Sequence, residues 1–475
     1  MTTLEPITDN LILDTDSYKA SHWLQYPPDV TSMYSYFESR GGRYRDTVFF
    51  GLQYYLLEHL SRPVTKANVD EAASFFEKHG EPFNRSGWEH LVDRYGGRLP
   101  VRIRAVPEGT VVPTGNVLFD IELTTPDPLV FWIVSWLETM LVRVWYPTTV
   151  ASRSHYCKRV ILESLVETSD DPLGEVPFKL HDFGSRGVSS RESARIGGAA
   201  HLVSFLGSDT VEGVRAANHY YGTADGMAGY SIPAAEHSTI TMWGRENEVA
   251  AYRNFVQKYL VEREVPPGTP KIAACVSDSF DLFHVIENVW CGELSDAIKA
   301  SGGKLVARPD SGDPAAVNLK CLQIMERKLG MRTNTKGFKV LPPHLGLLQG
   351  DGMNDESIGE VLHALRSRRY SASNIGFGMG GGLLQQLDRD TQRFAFKCAA
   401  ALRGGQWIDV SKSPATDMGK RSKKGHLALV HEGGAYATTA APRKDDLLVP
   451  VYEDGRVLRT YTLDEVRAAA DRDLS

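Results

Sequence analysis

Between residues 151 and 389 the chain repeats one pattern: a short apolar run closes on a Gly, Asp or Ser cluster, and a helical pattern follows. The runs are FKLHDFGSRG, SIPAAEHST, AACVSDSFD, LVARPDSGD, LGLLQGDG and NIGFGMGGG. Apolar stretches this short, bounded by turn formers, read as buried strands, and their alternation with helices predicts parallel strands joined by crossovers. The polar clusters fall at the C-terminal end of each strand, where a barrel assembles its active site. The expectation is an irregular (β/α) barrel-like catalytic domain over residues 151–389.

The flanks have a different texture. Residues 1–150 mix helical stretches, such as 71–78, with the run VRIRAVPEGTVVPTGNVLFDIEL at 101–123, whose alternation and Pro/Gly punctuation predict antiparallel strands. Residues 390–475 return to β-like runs with a final helix from Leu463. They are expected to pack back on the N-terminal part, so that both chain ends build a second, β-rich α+β domain beside the α/β one. The apolar stretch 129–146 holds Glu138 and Arg143 and carries its aromatics at helical spacing, which predicts a buried core helix rather than a membrane span.

Charge and cysteine content narrow the function. Lys and Arg number 53 against 59 Asp and Glu, a net charge of -6. That balance excludes a general nucleic-acid or anionic-membrane binder, since both need surplus positive charge. Phosphate chemistry must then rest on local basic clusters. The five cysteines are scattered, without CxxC pairs or metal-ligand spacing, and the N-terminal segment lacks the layout of a secretory signal. A reducing, cytoplasmic setting is expected.

Five strand-end loops carry candidate chemistry. In ARPDSGD (307–313), Arg308 can grip a phosphate bidentately while Asp310 accepts from ribose hydroxyls, although the same residues also make an ordinary turn. In LLQGDG (347–352), Gly350 lets a ligand approach the backbone and Asp351 can bind sugar hydroxyls or a divalent ion. The glycines of NIGFGMGGG precede a helical pattern and suit a 5'-phosphate; Gly376, Gly378 and Gly381 also match GxGxxG, but the acidic residue a dinucleotide site needs is missing. KLHDFGSRG sets Phe183, a stacking face or a core residue, beside Arg186. AAEHST places His237 beside Glu236, as a base, a ligand or a nucleophile, with Asp281 of VSDSFD as the expected orienting carboxylate. Outside the barrel, KRSKKG (420–425) is either a solvated patch or part of a pyrophosphate or nucleotide site.

On these motifs the chain resembles the nicotinamide phosphoribosyltransferases, a type II phosphoribosyltransferase family. The resemblance runs from DTDSYKASHWLQYPP (14–28) through YSYFESR (34–40), FGLQY (50–54), HDFGSRGVSS (181–190) and AAEHSTI (234–240) to FKC (396–398) and KRSKKG. It implies a homodimer with shared active sites, in which Phe183 and a partner subunit's Tyr18 sandwich the nicotinamide ring while Arg186 and Asp209 meet its carboxamide, with Ser231 among the substrate-binding residues. By the same resemblance, Arg308, Asp310, Gly350 and Asp351 hold the ribose and pyrophosphate of phosphoribosyl pyrophosphate, and Arg40, Lys420 and Lys423 serve the pyrophosphate or nucleotide. Gly380 and Gly381, with Arg389 and Lys397 from the partner, seat the 5'-phosphate. Mg²⁺ is the implied cofactor, with its ligands unassigned, and ATP the implied co-substrate, phosphorylating His237. Three departures stand out: a shorter loop after YSYFE, and Ala395 and Met379 where the family carries serine.

The implied reaction joins nicotinamide to the ribose and releases pyrophosphate, in NAD salvage. Nicotinate is the competing acceptor, and Asp209 argues against it because a carboxylate repels another. A non-catalytic protein that kept the fold is the alternative of a different class.

Overall fold

The computed structural model of the chain describes residue 7, residues 9–412 and residues 422–474. The chain divides into two compact units, one of residues 1–152 with 388–473 and one of residues 153–387.

The second unit is the expected barrel. Six parallel strands form one sheet in the order Gly207–Ser208, Leu180–Asp182, Ile375–Met379, Leu345–Gln349, Lys304–Arg308 and Ile272–Val276. Its two edges are joined through the segment 230–234, which makes one parallel bridge to Gly207 from Tyr230 and another to Ala274 from Ala234. The ring therefore closes with seven staves in chain order. SIPAAEHST supplies the seventh stave without becoming a strand, because Pro233 has no N–H to donate to a ladder, although its carbonyl accepts the Ala274 N–H at 2.9 Å. Alternate strand residues face the interior, where Ala274, Val306 and Arg308 line a cavity, and the intervening Ala273, Leu305, Ala307 and Phe377 are buried on the opposite face.

The first unit is built on a seven-stranded antiparallel sheet in the order Gln406–Asp409, Phe394–Arg403, Val30–Ser39, Val117–Leu123, Val101–Ala105, Val449–Glu453 and Arg456–Val457. Three strands from the N-terminal end lie between two pairs from the C-terminal end. Val30–Ser39 is buried almost throughout, as its position at the centre requires. Phe37 stacks on Phe119 at 4.6 Å and on Phe394 at 5.1 Å, tying its strand to the neighbour on each side. The run 101–123 forms the predicted antiparallel pair, Val101 opposite Leu123 and Ala105 opposite Phe119. Its middle piece, Val111–Pro113, pairs instead with Asp46–Val48.

The apolar stretch 129–146 is mostly buried, with Leu129 and Arg143 exposed, but it is not one helix. Two short helices, Ile133–Trp136 and Glu138–Val142, meet at Leu137. Trp88, Trp132 and Trp136 pack edge to face at 5.1 to 5.6 Å, and three indoles in contact fix this local path. Among the described residues, no helix is long and apolar enough to cross a membrane.

Candidate active site

The barrel unit brings the polar strand ends together. Phe183 follows the strand Leu180–Asp182, and its N–H donates to the Met379 carbonyl at 2.9 Å, so the loop is fixed to the neighbouring strand. The phenyl ring lies over Gly378 so closely that a Cβ there would come within 2.0 Å of ring carbon Cε2. Only glycine admits the ring in this place. A Cβ on Gly350 would meet the same ring at 3.5 Å and Asp310 Oδ1 at 3.6 Å, so the ring edge and that carboxylate converge on the Gly350 backbone.

Asp209 follows the strand Gly207–Ser208, is exposed, and accepts a hydrogen bond from Ser231 Oγ, the residue that enters the seventh stave. Arg308 closes its strand with Nη2 3.5 Å from Asp310 Oδ2. Its Nε is buried without any protein acceptor. A buried guanidinium donor left unpaired is costly, so an anion arriving there recovers that cost. Phe183, Asp209, Ser231 and Arg308 line one cavity of about 720 Å³ that extends along the barrel past His181 to Lys179 and Lys304. That is room for a drug-sized ligand. Burial pushes the His181 imidazole below its usual range, only partly opposed by the Asp209 carboxylate.

His237 begins the short helix His237–Thr241 with its ring half exposed. Its Nε2 lies 3.0 Å from Asp278 Oδ1, and its Nδ1 lies 4.0 Å from Asp310 Oδ2. The other Asp278 oxygen accepts from Ser311 Oγ at 2.5 Å. The orienting carboxylate is therefore Asp278 and not Asp281. Asp281 instead caps the following helix, its Oδ1 accepting the His284 N–H at 3.0 Å. An aspartate directly before an apolar helical run is a common cap, and that signal was present in DLFH. Asp278, two residues past its strand and largely buried, is the residue that sequence reasoning missed, together with Ser311.

Arg186, Asp351, Gly380 and Gly381 also lie at this end of the barrel. Arg186 and Asp351 are exposed. Gly380 and Gly381 make the turn into the short helix Gly381–Leu384, and a Cβ on Gly187 would sit 3.2 Å from Gly381, which packs the Arg186 loop against the glycine turn. Met379 is fully buried as the last residue of its strand, so its side chain belongs to the core rather than to a phosphate seat. The match to GxGxxG dissolves too: Gly376 and Gly378 are strand residues.

The first unit holds the remaining candidates. Tyr18 is exposed on the 3-10 helix Ser17–Leu24. Lys397 Nζ donates to its neighbour's carbonyl at 2.8 Å, and burial pushes its ammonium below the usual range. Glu138 opposes that shift, while the cations Arg40, Lys412 and Arg389 reinforce it. Four cations thus share one field, which favours a multiply charged anion. Glu38 is buried between Arg40, whose Nε donates at 2.8 Å, and Lys423, which also donates to the Gly115 carbonyl at 2.7 Å. Arg40 and Lys423 thus both pair with an internal carboxylate, and Arg40 Nη2 is buried without an acceptor. Ala395 lies opposite Glu38 in the sheet. Lys420 falls outside the described residues.

Residues 178–455 match the model of the nicotinate phosphoribosyltransferase family, and residues 10–103 match that of the nicotinamide phosphoribosyltransferase N-terminal domain. A nicotinamide phosphoribosyltransferase of Xanthomonas campestris pv. campestris is 53% identical over 472 residues, covering 98% of each chain. One from Mycoplasma pneumoniae is 31% identical, covering 88% of this chain and 95% of its own. Among solved structures, nicotinate-nucleotide pyrophosphorylase from Pyrococcus furiosus superposes with a TM-score of 0.62 at 16% identity, covering 100% of this chain and 98% of that one. Human nicotinic acid phosphoribosyltransferase gives 0.55 at 17% identity, covering 97% and 93%. Those two likenesses establish the fold.

Proposed function

The chain belongs to the nicotinate phosphoribosyltransferase family, and from that premise we propose that it is a pentosyltransferase making nicotinamide mononucleotide and pyrophosphate from nicotinamide and phosphoribosyl pyrophosphate, in NAD salvage. One observation carries the reading: a stacking ring, Phe183, a carboxylate, Asp209, and a buried guanidinium with an unpaired Nε, Arg308, line the same cavity. The ring nitrogen of nicotinamide attacks C1 of the ribose as the C1–oxygen bond to pyrophosphate breaks. A pyridine nitrogen carries no proton to remove, so no general base is needed, and the rate rests on holding the ring in line. Phe183 supplies the flat face, Asp209 accepts from the carboxamide NH₂, and Arg308 takes leaving-group oxygens on its unpaired Nε.

Among the described residues, no group of three or more His, Cys, Asp or Glu side chains is arranged to hold a metal. Mg²⁺ keeps several waters and binds through substrate phosphates and one or two carboxylates, so it needs no such group. Asp310, partly exposed beside Arg308, is the carboxylate placed for it, and Mg²⁺ bound there would neutralise the departing pyrophosphate.

ATP is assigned to His237. With Nε2 facing the Asp278 carboxylate, Nε2 carries the proton and Nδ1 keeps its lone pair. Nδ1 attacks the terminal phosphorus of ATP, the bond to the ADP oxygen breaks, and water later hydrolyses the phosphohistidine. We assign the active form to a homodimer with shared sites, supported by the exposed Tyr18 and the cation group around Lys397, which belong to a different unit from Phe183 and Arg308. A cytoplasmic setting is supported by five cysteines without a disulfide.

The test is product analysis with nicotinamide, phosphoribosyl pyrophosphate and Mg²⁺, with and without ATP. Nicotinamide mononucleotide and pyrophosphate in equal amounts are expected; absence of both from folded protein would overturn the reading.

A further inference from the structure

Asp182 is the last residue of the strand Leu180–Asp182 and is fully buried. It holds three things at once. Its Oδ1 accepts the Gly184 N–H at 2.7 Å, closing an Asx turn around Phe183. Its main-chain carbonyl accepts the Asp209 N–H at 2.9 Å. Its strand partner is Met379, whose carbonyl accepts the Phe183 N–H at 2.9 Å. The stacking ring and the carboxamide-reading carboxylate are thus anchored to one residue.

The other carboxyl oxygen is in a different situation. Oδ2 is buried with no well-formed hydrogen bond, and so is the Thr210 hydroxyl that faces it. A Cβ on Gly198 would come within 3.4 Å of Oδ2, and Gly198 in turn packs on Gly213, so helix backbone walls off that side from water. From the glycine turn the residue meeting this loop is Leu384, which is apolar. The charged neighbour that acts on Asp182 is the Asp209 carboxylate, and His181 precedes it on its own strand.

We propose that Asp182 is a positioning residue for the ring end of the cavity, which fixes Phe183 and Asp209 relative to each other and makes nicotinamide capture, but not donor capture, depend on the protonation of its buried carboxyl. The inference rests on the activity proposed above. Burial pushes the carboxyl up to about 7 and the Asp209 charge adds to the rise, while the bond from Gly184 and the Thr210 hydroxyl oppose it. Below that pH a proton on Oδ2 removes the charge from the dry site, and Asp209 stands as the only carboxylate charge there. Above it, Oδ2 carries charge in a dry site and the Asp209 charge acts against it. The anchor is tight when protonated and strained when ionised.

The experiment measures kcat/KM for nicotinamide and for phosphoribosyl pyrophosphate from pH 6 to 9 in wild type, Asp182→Asn and Thr210→Val. Wild type should lose nicotinamide kcat/KM by about threefold or more as pH rises through neutrality, the scale of one nearby unit charge. Asp182→Asn, neutral and of the same shape, keeps the Gly184 and Thr210 bonds and should flatten that limb, leaving the donor profile unchanged. Thr210→Val removes a hydroxyl that stabilises the ionised form, so the inflection should move to higher pH. Superimposable nicotinamide profiles in wild type and Asp182→Asn overturn the inference. So does a flattened profile for both substrates alike, the mark of a merely structural role. If Asp182→Asn does not fold, an unmoved inflection in Thr210→Val overturns it instead. Wild type with no turnover takes the activity and the inference down together, whereas active wild type with matching profiles removes the inference alone.

Discussion

Replacing Gly378 by alanine is expected to disable ring binding through Phe183. A Cβ at this position would lie 2.0, 2.3 and 2.8 Å from Cε2, Cδ2 and Cζ of the phenyl ring. Carbon atoms pack at about 3.5 to 4.0 Å, so the ring must retreat by roughly 1.5 Å. The strand Ile375–Met379 is paired on both sides, whereas the ring borders the cavity, so the ring moves and not the strand. Overpacking of this kind costs about 1 to 3 kcal/mol of stability. Misplacing a reactant by about 1 Å can cost on the order of 100-fold in rate, and losing an aromatic stack about 0.5 to 1.5 kcal/mol of binding. The expected result is therefore a fall of about 10- to 100-fold in kcat/KM for nicotinamide, with KM for phosphoribosyl pyrophosphate changed by less than about threefold. Steady-state kinetics varying each substrate, beside a thermal melt, reads both quantities. In a Phe183→Ala background the same alanine has nothing to displace, so the two effects should fail to add. A folded Gly378→Ala protein with unchanged nicotinamide kinetics, or strict additivity with Phe183→Ala, would refute the reasoning.

Asp209→Asn should weaken discrimination against nicotinate, because the repulsion disappears while an acceptor for the carboxamide remains; competition between the two rings reads it, and unaltered selectivity would remove Asp209 from that role. His237→Ala should abolish ATP hydrolysis and raise apparent KM while displacement survives at high donor concentration, and phosphohistidine formed on ATP in the variant would refute the assignment. Inactive Tyr18→Ala chains mixed with inactive Asp310→Ala chains should regain activity if sites are shared between subunits; no recovery, with subunit exchange confirmed, would count against sharing.

The barrel was legible because its strands are short apolar runs ending in turn formers, a pattern dictated by burial on both sheet faces. The seventh stave was legible as a repeat of that pattern but not as an irregular segment, since only the folded ring shows that its hydrogen bonds are single bridges flanking Pro233. The stretch 129–146 shows where periodicity fails: it marks residues as buried without revealing that the chain turns at Leu137. At the site, residue types at strand ends were readable because chemistry constrains them. Which of two aspartates in VSDSFD faces the histidine was not, because that depends on how the chain leaves its strand; Asp278 points to His237 and Asp281 to the next helix. Asp182 escaped notice for a related reason, since an aspartate in a strand gives no sign of burial until its neighbours are placed. Met379 illustrates the reverse, a departure read as a phosphate-seat change that the fold assigns to the core.

The central claim is that this barrel joins nicotinamide, rather than nicotinate, to phosphoribosyl pyrophosphate. An equimolar mixture of the two rings, limiting donor and Mg²⁺, with both mononucleotides quantified in the same sample, tests it most directly. The account predicts that nicotinamide mononucleotide dominates the product, and a product made mainly of nicotinate mononucleotide would contradict it.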